Sequence, residues 1–587
     1  MKKIIYSALA LLGMTLSSCC DKNDVAADGG DTTVDPISTT IMILDCGGGN
    51  LDQNDLYSIL AMQKSGASDK VNVIAQFKLS AQYQKDGENS TGYDAYQGVI
   101  RWDLADQGKE VSLPENTGYD FQMNWKPIQY LTQLKNVETV SKDAKYKLCT
   151  EENLIEFINY CKKKHPADHY ILIPSDHGGG WSPGEDGHAL LSKGVIYDDN
   201  LGSDQWYSNL DQCLEAKTIH DAIKNTIGKV DVLYLEACLM AQWENMSQWK
   251  DISDYMVLSQ ELSQGTQLSN LLENMKKTTS ADQIFTSLCN TVDSNNKWWD
   301  DYSNTTKKLG KMAFVDQGVY RSSGVTAMEQ IIKQAAAKMI ELKDKNQDYT
   351  SDVIKTAIIP DGSNTYFSDD DKTKALGKKL YNAMVTRYQK MDNMTETVIP
   401  NDFIQVYYKE NQSDFETQFT ADEQFEIFTL MSLTAAKSVC MADLLGKWNS
   451  AVQDDAEHYG ISEADKQAVQ NIYDSYMKGL KEMAYVGMSI SDKGNPYVQC
   501  SPSVCMFSMT EKGWVNKAAA RADGVNANLS PFAENYSRES IEVAYMNEYG
   551  RNPFQSATGW GDFLQKNDIN VNALVNPTRQ SMYFLNK

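Results

Sequence analysis

The chain has 587 residues, 42% of them hydrophobic, and a net charge of −24. This is ordinary globular composition over more length than one hydrophobic core usually organises, so at least two domains are expected. The acidic balance, with no long basic run, excludes nucleic acid as a partner, because phosphate binding needs a basic face. Eleven cysteines over this length are too sparse for the dense disulfide framework of a small secreted domain. Each cysteine is therefore read on its own.

Lys2 and Lys3 form a positive n-region, Ile4 to Leu12 an apolar h-region, and Leu16-Ser17-Ser18-Cys19 follows. This pattern resembles a bacterial lipoprotein signal, which is cleaved before a cysteine whose thiol then carries lipid. It implies a signal peptide over residues 1–18 and Cys19 as the lipidated first residue. The apolar stretch is too short to span a bilayer, and no later run of about 20 apolar residues occurs. The expected membrane contact is the lipid on Cys19. Residues 19–39 are polar and rich in Gly, Asp and Thr, which predicts a flexible tether. The acidic residues just behind Cys19 resemble a surface-export signal, implying a cell-envelope, outer-membrane lipoprotein displayed at the surface.

Thr40 to Cys46 is a short apolar run closed by Gly47-Gly48-Gly49, a buried strand running into a turn. Leu51, Leu56, Ile59, Leu60 and Met62 then share a helical face, and Val71 to Phe77 supplies a second strand. Thr150-Glu151-Glu152 opens a helix with Leu154, Phe157, Ile158 and Cys161 on one face. Lys162 to Lys164 occupy its last turn, and Pro166 follows. The strand His169 to Pro174 leads into Ser175-Asp176-His177-Gly178-Gly179-Gly180-Trp181. A helix near Thr218 to Ile227 and a strand from Val230 to Leu235 lead into Glu236-Ala237-Cys238, and Tyr255 to Ser259 is one more strand. Strands alternating with helices predict an α/β fold: a mainly parallel sheet with helices on both faces, over residues 40–270.

Beyond residue 270 the pattern changes to a C-terminal α+β region, 271–587, packing on the first. Val325 to Leu342 and Ala421 to Leu445 read as helices, the latter opened by Thr420 and Glu423 in a capping-box arrangement. Strand-like runs occur at Ala484 to Ile490 and Val504 to Met509.

Sites in parallel sheets form at the carboxyl ends of strands, and both His177 and Cys238 lie just past such an end. Six histidines are present. His165, His169, His220 and His458 sit in contexts suited to structural or solvated roles, and His188 lies in the loop after His177. His177 is followed by three glycines, which let backbone amides approach a ligand closely. Cys238 judged alone suits a small buried apolar residue. Paired with a histidine it suits a nucleophile, since an adjacent imidazolium or helix N-terminus favours the thiolate. Metal binding needs three or four ligands; Cys-x-x-Cys does not occur, and His165 and His169, although spaced His-x-x-x-His, flank a proline at a helix–strand junction. Walker-type loops are also absent from the sequence.

The order strand, Asp-His-Gly-Gly-Gly-Trp, loop, helix, strand, Glu-Ala-Cys-Leu-Met resembles the clostripain family of cysteine peptidases, relatives of caspases and gingipains. Gly49-Asn50-Leu51, Pro166 to Tyr170, Ala313-Phe314-Val315-Asp316 and Thr558-Gly559-Trp560 also resemble family positions. The resemblance implies a caspase-like αβα sandwich with His177 and Cys238 as a dyad, and backbone N–H groups of Gly178 and Cys238 facing the oxyanion. It implies an endopeptidase acting on protein or peptide substrates after Arg or Lys. It also implies self-cleavage in the loop between histidine and cysteine, for which Lys193 is the candidate. No cofactor is required, and a calcium dependence is left open.

Two departures bear on specificity. Where relatives carry Asp two residues before the cysteine, this chain has Glu236, and the segment after the next strand reads Ser259-Gln260-Glu261-Leu262. Glu236 and Glu261 are the candidate acids for a basic P1 side chain. Two rival readings are a glycan- or ligand-binding surface lipoprotein, suited by 31 tyrosines and 11 tryptophans, and a peptidase fold without turnover.

Overall fold

The computed structural model describes residues 36–46, 52–79, 98–104, 111–113, 132–143, 146–176, 178, 181, 196–197, 213–238, 240–259, 267–306, 317–345, 364–367, 371–388, 394–400, short stretches from 403 to 427, 438–454, 456–486, 502–505 and 552–566. The chain divides into two compact units, Met1–Asp35 and Pro36–Lys587, and the described residues belong to the second.

The main sheet has nine strands: β1 (Thr39–Asp45), β2 (Val71–Leu79), β3 (Gly98–Asp103), β4 (Val137–Ser141), β5 (His169–Ser175), β6 (Val230–Tyr234), β7 (Ser253–Ser259), β8 (Gln317–Arg321) and β9 (Ala484–Val486). The helices that cover it include α1 (Asp52–Ser65), α2 (Glu151–Lys164), α3 (Ala216–Thr226), α4 (Trp243–Trp249), α5 (Leu268–Met275), α6 (Ile284–Thr306), α7 (Ser322–Lys345), α8 (Met441–Asp454) and α9 (Glu463–Met483).

Across the sheet the order is β9-β8-β7-β6-β5-β1-β2-β3-β4. The five central strands, β7 to β2 in that order, pair parallel, and the strands outside them pair antiparallel. The expectation of a mainly parallel sheet thus describes its centre. β8 and β9 come from beyond residue 270, so strands from both sides of that position share one sheet.

Both faces of the central strands are buried, which explains their continuous apolar runs. Side chains alternate between faces along a strand. Met42, Leu44, Leu172, Leu233 and Met256 pack in one core with the apolar faces of α2, α3, α4, α7, α8 and α9. Ile41, Ile43, Ile171, Val232 and Val257 pack in a second core with α1, α5 and α6. Each fully buried Leu or Ile contributes about 1.5–3 kcal/mol relative to exposure, so the sheet between two such cores is a rigid platform.

Helix α2 forms where its local signals place it. Thr150 at the N-cap accepts from the N–H of Asn153 at 3.3 Å. Glu151 and Glu152 occupy the first turn and three lysines the last, matching the helix dipole. Leu154, Phe157, Ile158 and Cys161 are its buried face.

The helix expected over 421–445 is corrected. The capping box does form, with the N–H of Thr420 donating to Glu423 Oε2 at 2.9 Å and the N–H of Glu423 donating to Thr420 Oγ1 at 3.2 Å. Ser438–Cys440, however, is a strand paired antiparallel with Ser503–Cys505, and the next helix starts at Met441. Val439 opposite Val504 is a β-branched pair that suits a ladder better than a helix interior.

Candidate functional site

The site lies at the carboxyl ends of β5 and β6. Their parallel pairing continues past both strands. The N–H of Glu236 donates to the carbonyl of Pro174 at 3.1 Å, the N–H of Asp176 donates to the carbonyl of Glu236 at 3.4 Å, and Ser175 bridges Glu236. Asp176 has φ of 155°, which L-residues rarely adopt. This turn leads the chain across the end of β6.

Gly178 then meets Cys238. A Cβ at position 178 would stand 2.3 Å from the carbonyl oxygen of Cys238 and 2.9 Å from its nitrogen and from Ala237 Cβ. Only a hydrogen fits there, so the glycine is required by close approach of two backbones. Cys238 is in no disulfide and is half-buried. Further along, Trp181, largely buried, donates its N–H to the side-chain oxygen of Gln242. The segment after Cys238 is held in turn by the N–H of Ala241, which donates to the carbonyl of Ser259 at 2.8 Å.

Buried polar side chains line the same edge of the sheet. Asp45 at the end of β1, Ser175 and Asp176 at the end of β5, Glu236 past β6 and Ser259 at the end of β7 are each no more than 9% exposed. Burying so many polar groups is costly in a purely structural edge, and carboxyl ends of parallel strands are where ligands bind. Glu236 lies two residues from the thiol, its backbone committed to β5.

A covalent link that the sequence did not reveal also reaches this edge. Cys46, just past β1, is disulfide-bonded to Cys149, with a Cα–Cα distance of 5.7 Å. The N–H of Cys46 donates to the carbonyl of Ser175 at 3.1 Å, so the bond ties the start of α2 to the strand ends beside the site.

Gly178, Glu236 and Cys238 are therefore brought together. His177, Lys193, Glu261 and Cys19 lie outside the described residues, as does His188. Three other histidines take carboxylate partners: His165 with Asp103 at 2.9 Å, His169 with Asp231 at 2.7 Å, and His220 with Asp221 at 2.8 Å. Among the described residues, no group of three or more His, Cys, Asp or Glu is arranged to hold a metal ion. No helix among them is long and apolar enough to cross a membrane.

Sequence reasoning missed Gln242. A glutamine one residue before a helix carries no motif, and its partner is 61 residues away.

A model of the clostripain family matches residues 118–567. Clostripain from Hathewaya histolytica is 34% identical over 171 residues, a match covering 27% of this chain and 30% of clostripain. The chain thus matches less than a third of that relative's length. Among solved structures, an inactive zymogen C11 protease from Parabacteroides distasonis aligns with a TM-score of 0.40 at 11% identity, over 89% of this chain and 98% of that one. A secreted C11 cysteine protease from Bacteroides thetaiotaomicron in complex with an irreversible peptide inhibitor aligns with a TM-score of 0.34 at 13% identity, over 51% of this chain and 70% of that one.

Proposed function

Because the chain belongs to the clostripain family of C11 cysteine peptidases, we propose that it is an endopeptidase whose nucleophile is Cys238 and whose general acid–base is His177. The observation that carries this reading is the packing of Gly178 against the Cys238 backbone. It sets the residue next to His177 in contact with the residue that bears the thiol.

In this reading the Cys238 thiolate attacks the scissile carbonyl carbon and its π electrons move onto oxygen. The N–H groups of Gly178 and Cys238 stabilise that oxyanion. As the tetrahedral adduct collapses, His177 delivers its proton to the departing amine, leaving a thioester. Water, deprotonated by His177, then releases the acid and regenerates the thiol. Each amide lies two residues beyond the point where the β5–β6 pairing ends, at Asp176 and Glu236.

Glu236 supports a preference for Arg or Lys at P1, because a carboxylate is what a desolvated guanidinium or ammonium needs. Glu261 is its proposed companion, and Lys193 the site of self-cleavage. A calcium requirement is tested by chelation. The leader reading extends the proposal to an exported enzyme held at the cell envelope by lipid on Cys19.

The test is hydrolysis of a P1 substrate panel by residues 39–587, beside Cys238→Ala and His177→Ala. Each variant is expected to lose activity by about 10⁴-fold or more, as when a coupled nucleophile–base pair is broken. Activity that survives Cys238→Ala overturns the assignment. Hydrolysis after uncharged residues in preference to Arg and Lys removes Glu236 and Glu261 from the specificity role.

A further inference from the structure

The loops after β5 and β6 are joined at two points. One is the contact of Gly178 with Cys238. The other is the hydrogen bond from the Trp181 N–H to the Gln242 side chain. Trp181 lies four residues past His177, and Gln242 four residues past Cys238, so this bond, with the backbone bond from Asp176 to Glu236, closes a ring of main chain that contains both.

Gln242 occupies the N-cap of α4, a position where Ser, Thr, Asp or Asn usually satisfies first-turn amides. It makes no side-chain cap bond. Its backbone carbonyl accepts from the N–H of Met246 at 2.9 Å, while its side-chain oxygen is given to Trp181. The side chain is 2% exposed, and a buried amide of this kind is retained where its hydrogen bond matters.

The bond matters because of what it spans. Gly178, Gly179 and Gly180 have no side chains to restrict them, and such a segment has the largest backbone entropy to lose on fixing. Trp181, in the core and bonded to Gln242, fixes its far end.

We propose that Gln242 is a positioning residue of the peptidase site: by holding the Trp181 amide, it sets where the triple-glycine segment, and with it His177, stands relative to Cys238. This rests on the peptidase reading above. A shift of about 1 Å in a reacting group costs on the order of 10²-fold in rate.

The test uses the full chain with three substitutions. Gln242→Leu removes the acceptor at similar volume, Gln242→Met keeps the length without an oxygen, and Gln242→Glu restores an acceptor. Three readouts are taken: kcat and KM on the best peptide, the melting temperature, and the rate at which iodoacetamide alkylates Cys238. The expected result is a fall in kcat of about 10- to 100-fold for Leu and Met with KM within about threefold, and recovery of most of kcat by Glu. Unchanged kcat in the Leu and Met variants overturns the proposal, as does a Glu variant no better than Leu. If the wild-type chain cleaves no peptide, the peptidase reading fails, and the alkylation rate still decides the clamp. Slowing in Gln242→Leu to the His177→Ala rate supports it, and an unchanged rate refutes it.

Discussion

Gly178→Ala tests the packing at the site with a single methyl group. The added Cβ would stand 2.3 Å from the Cys238 carbonyl oxygen, whereas carbon and oxygen normally touch at about 3.3 Å or more. The two backbones must separate by about 1 Å. Neither neighbour is a flexible side-chain end, so the strain falls on the β5 and β6 loops themselves. Overpacking of this kind costs about 1–3 kcal/mol, and a 1 Å displacement between general acid and nucleophile costs on the order of 10²-fold in kcat. Gly228→Ala is the control. Gly228 has φ of +80° and nothing within 4 Å of an added Cβ, so alanine there costs about 1–2 kcal/mol of backbone strain away from the site. Steady-state hydrolysis and thermal melts on both variants separate the effects. Both should melt a few degrees lower, and only Gly178→Ala should lose turnover. A Gly178→Ala enzyme with wild-type kcat would show that the contact does not position the reacting groups.

The disulfide and one ion-pair network give further predictions. Replacing both Cys46 and Cys149 by serine opens a covalent loop of sequence separation 103; the expected loss is about 2–4 kcal/mol of stability, read as a lower urea midpoint, and an unchanged midpoint contradicts the link. Lys338 Nζ lies 2.5 Å from Asp465 Oδ1, joining α7 to α9. That ammonium and the Ser462 hydroxyl hold the Asp465 carboxyl well below the usual carboxylate range. A depressed carboxylate contributes stability above its unfolded pKa, near 4, and loses it as pH falls further. Lys338→Met should therefore cost about 1 kcal/mol at pH 7, with the gap from wild type shrinking steadily as pH drops below about 4; a gap of the same size at pH 5 and at pH 2 would place the cost in packing.

What was legible in the sequence was what local chemistry determines. Thr150, the lysines of the last turn and the spacing of Leu154, Phe157, Ile158 and Cys161 located α2 because caps and periodicity are encoded within one helix. The apolar runs of β1, β5 and β6 were readable because strands buried on both faces carry no competing pattern. Glycines after one strand and a cysteine after another pointed to Gly178 and Cys238, which the fold does bring into contact. Pairings between distant segments were not legible. Cys46 and Cys149 meet across 103 residues, β8 joins β7 after a helix of 23 residues, and Val439 leaves a helical pattern to pair with Val504. Gln242 was invisible for the same reason, since its role exists only once Trp181 is beside it.

The most direct measurement of the central claim is to label the chain with a peptidyl electrophile carrying Arg or Lys at P1 and locate the adduct by peptide mass spectrometry. Cys161, Cys238, Cys289 and Cys440 are among the described cysteines that lie outside any disulfide. The account predicts one adduct, on Cys238, that is lost in His177→Ala. An adduct on another cysteine, with Cys238 unmodified in a chain that still hydrolyses peptides, would contradict it.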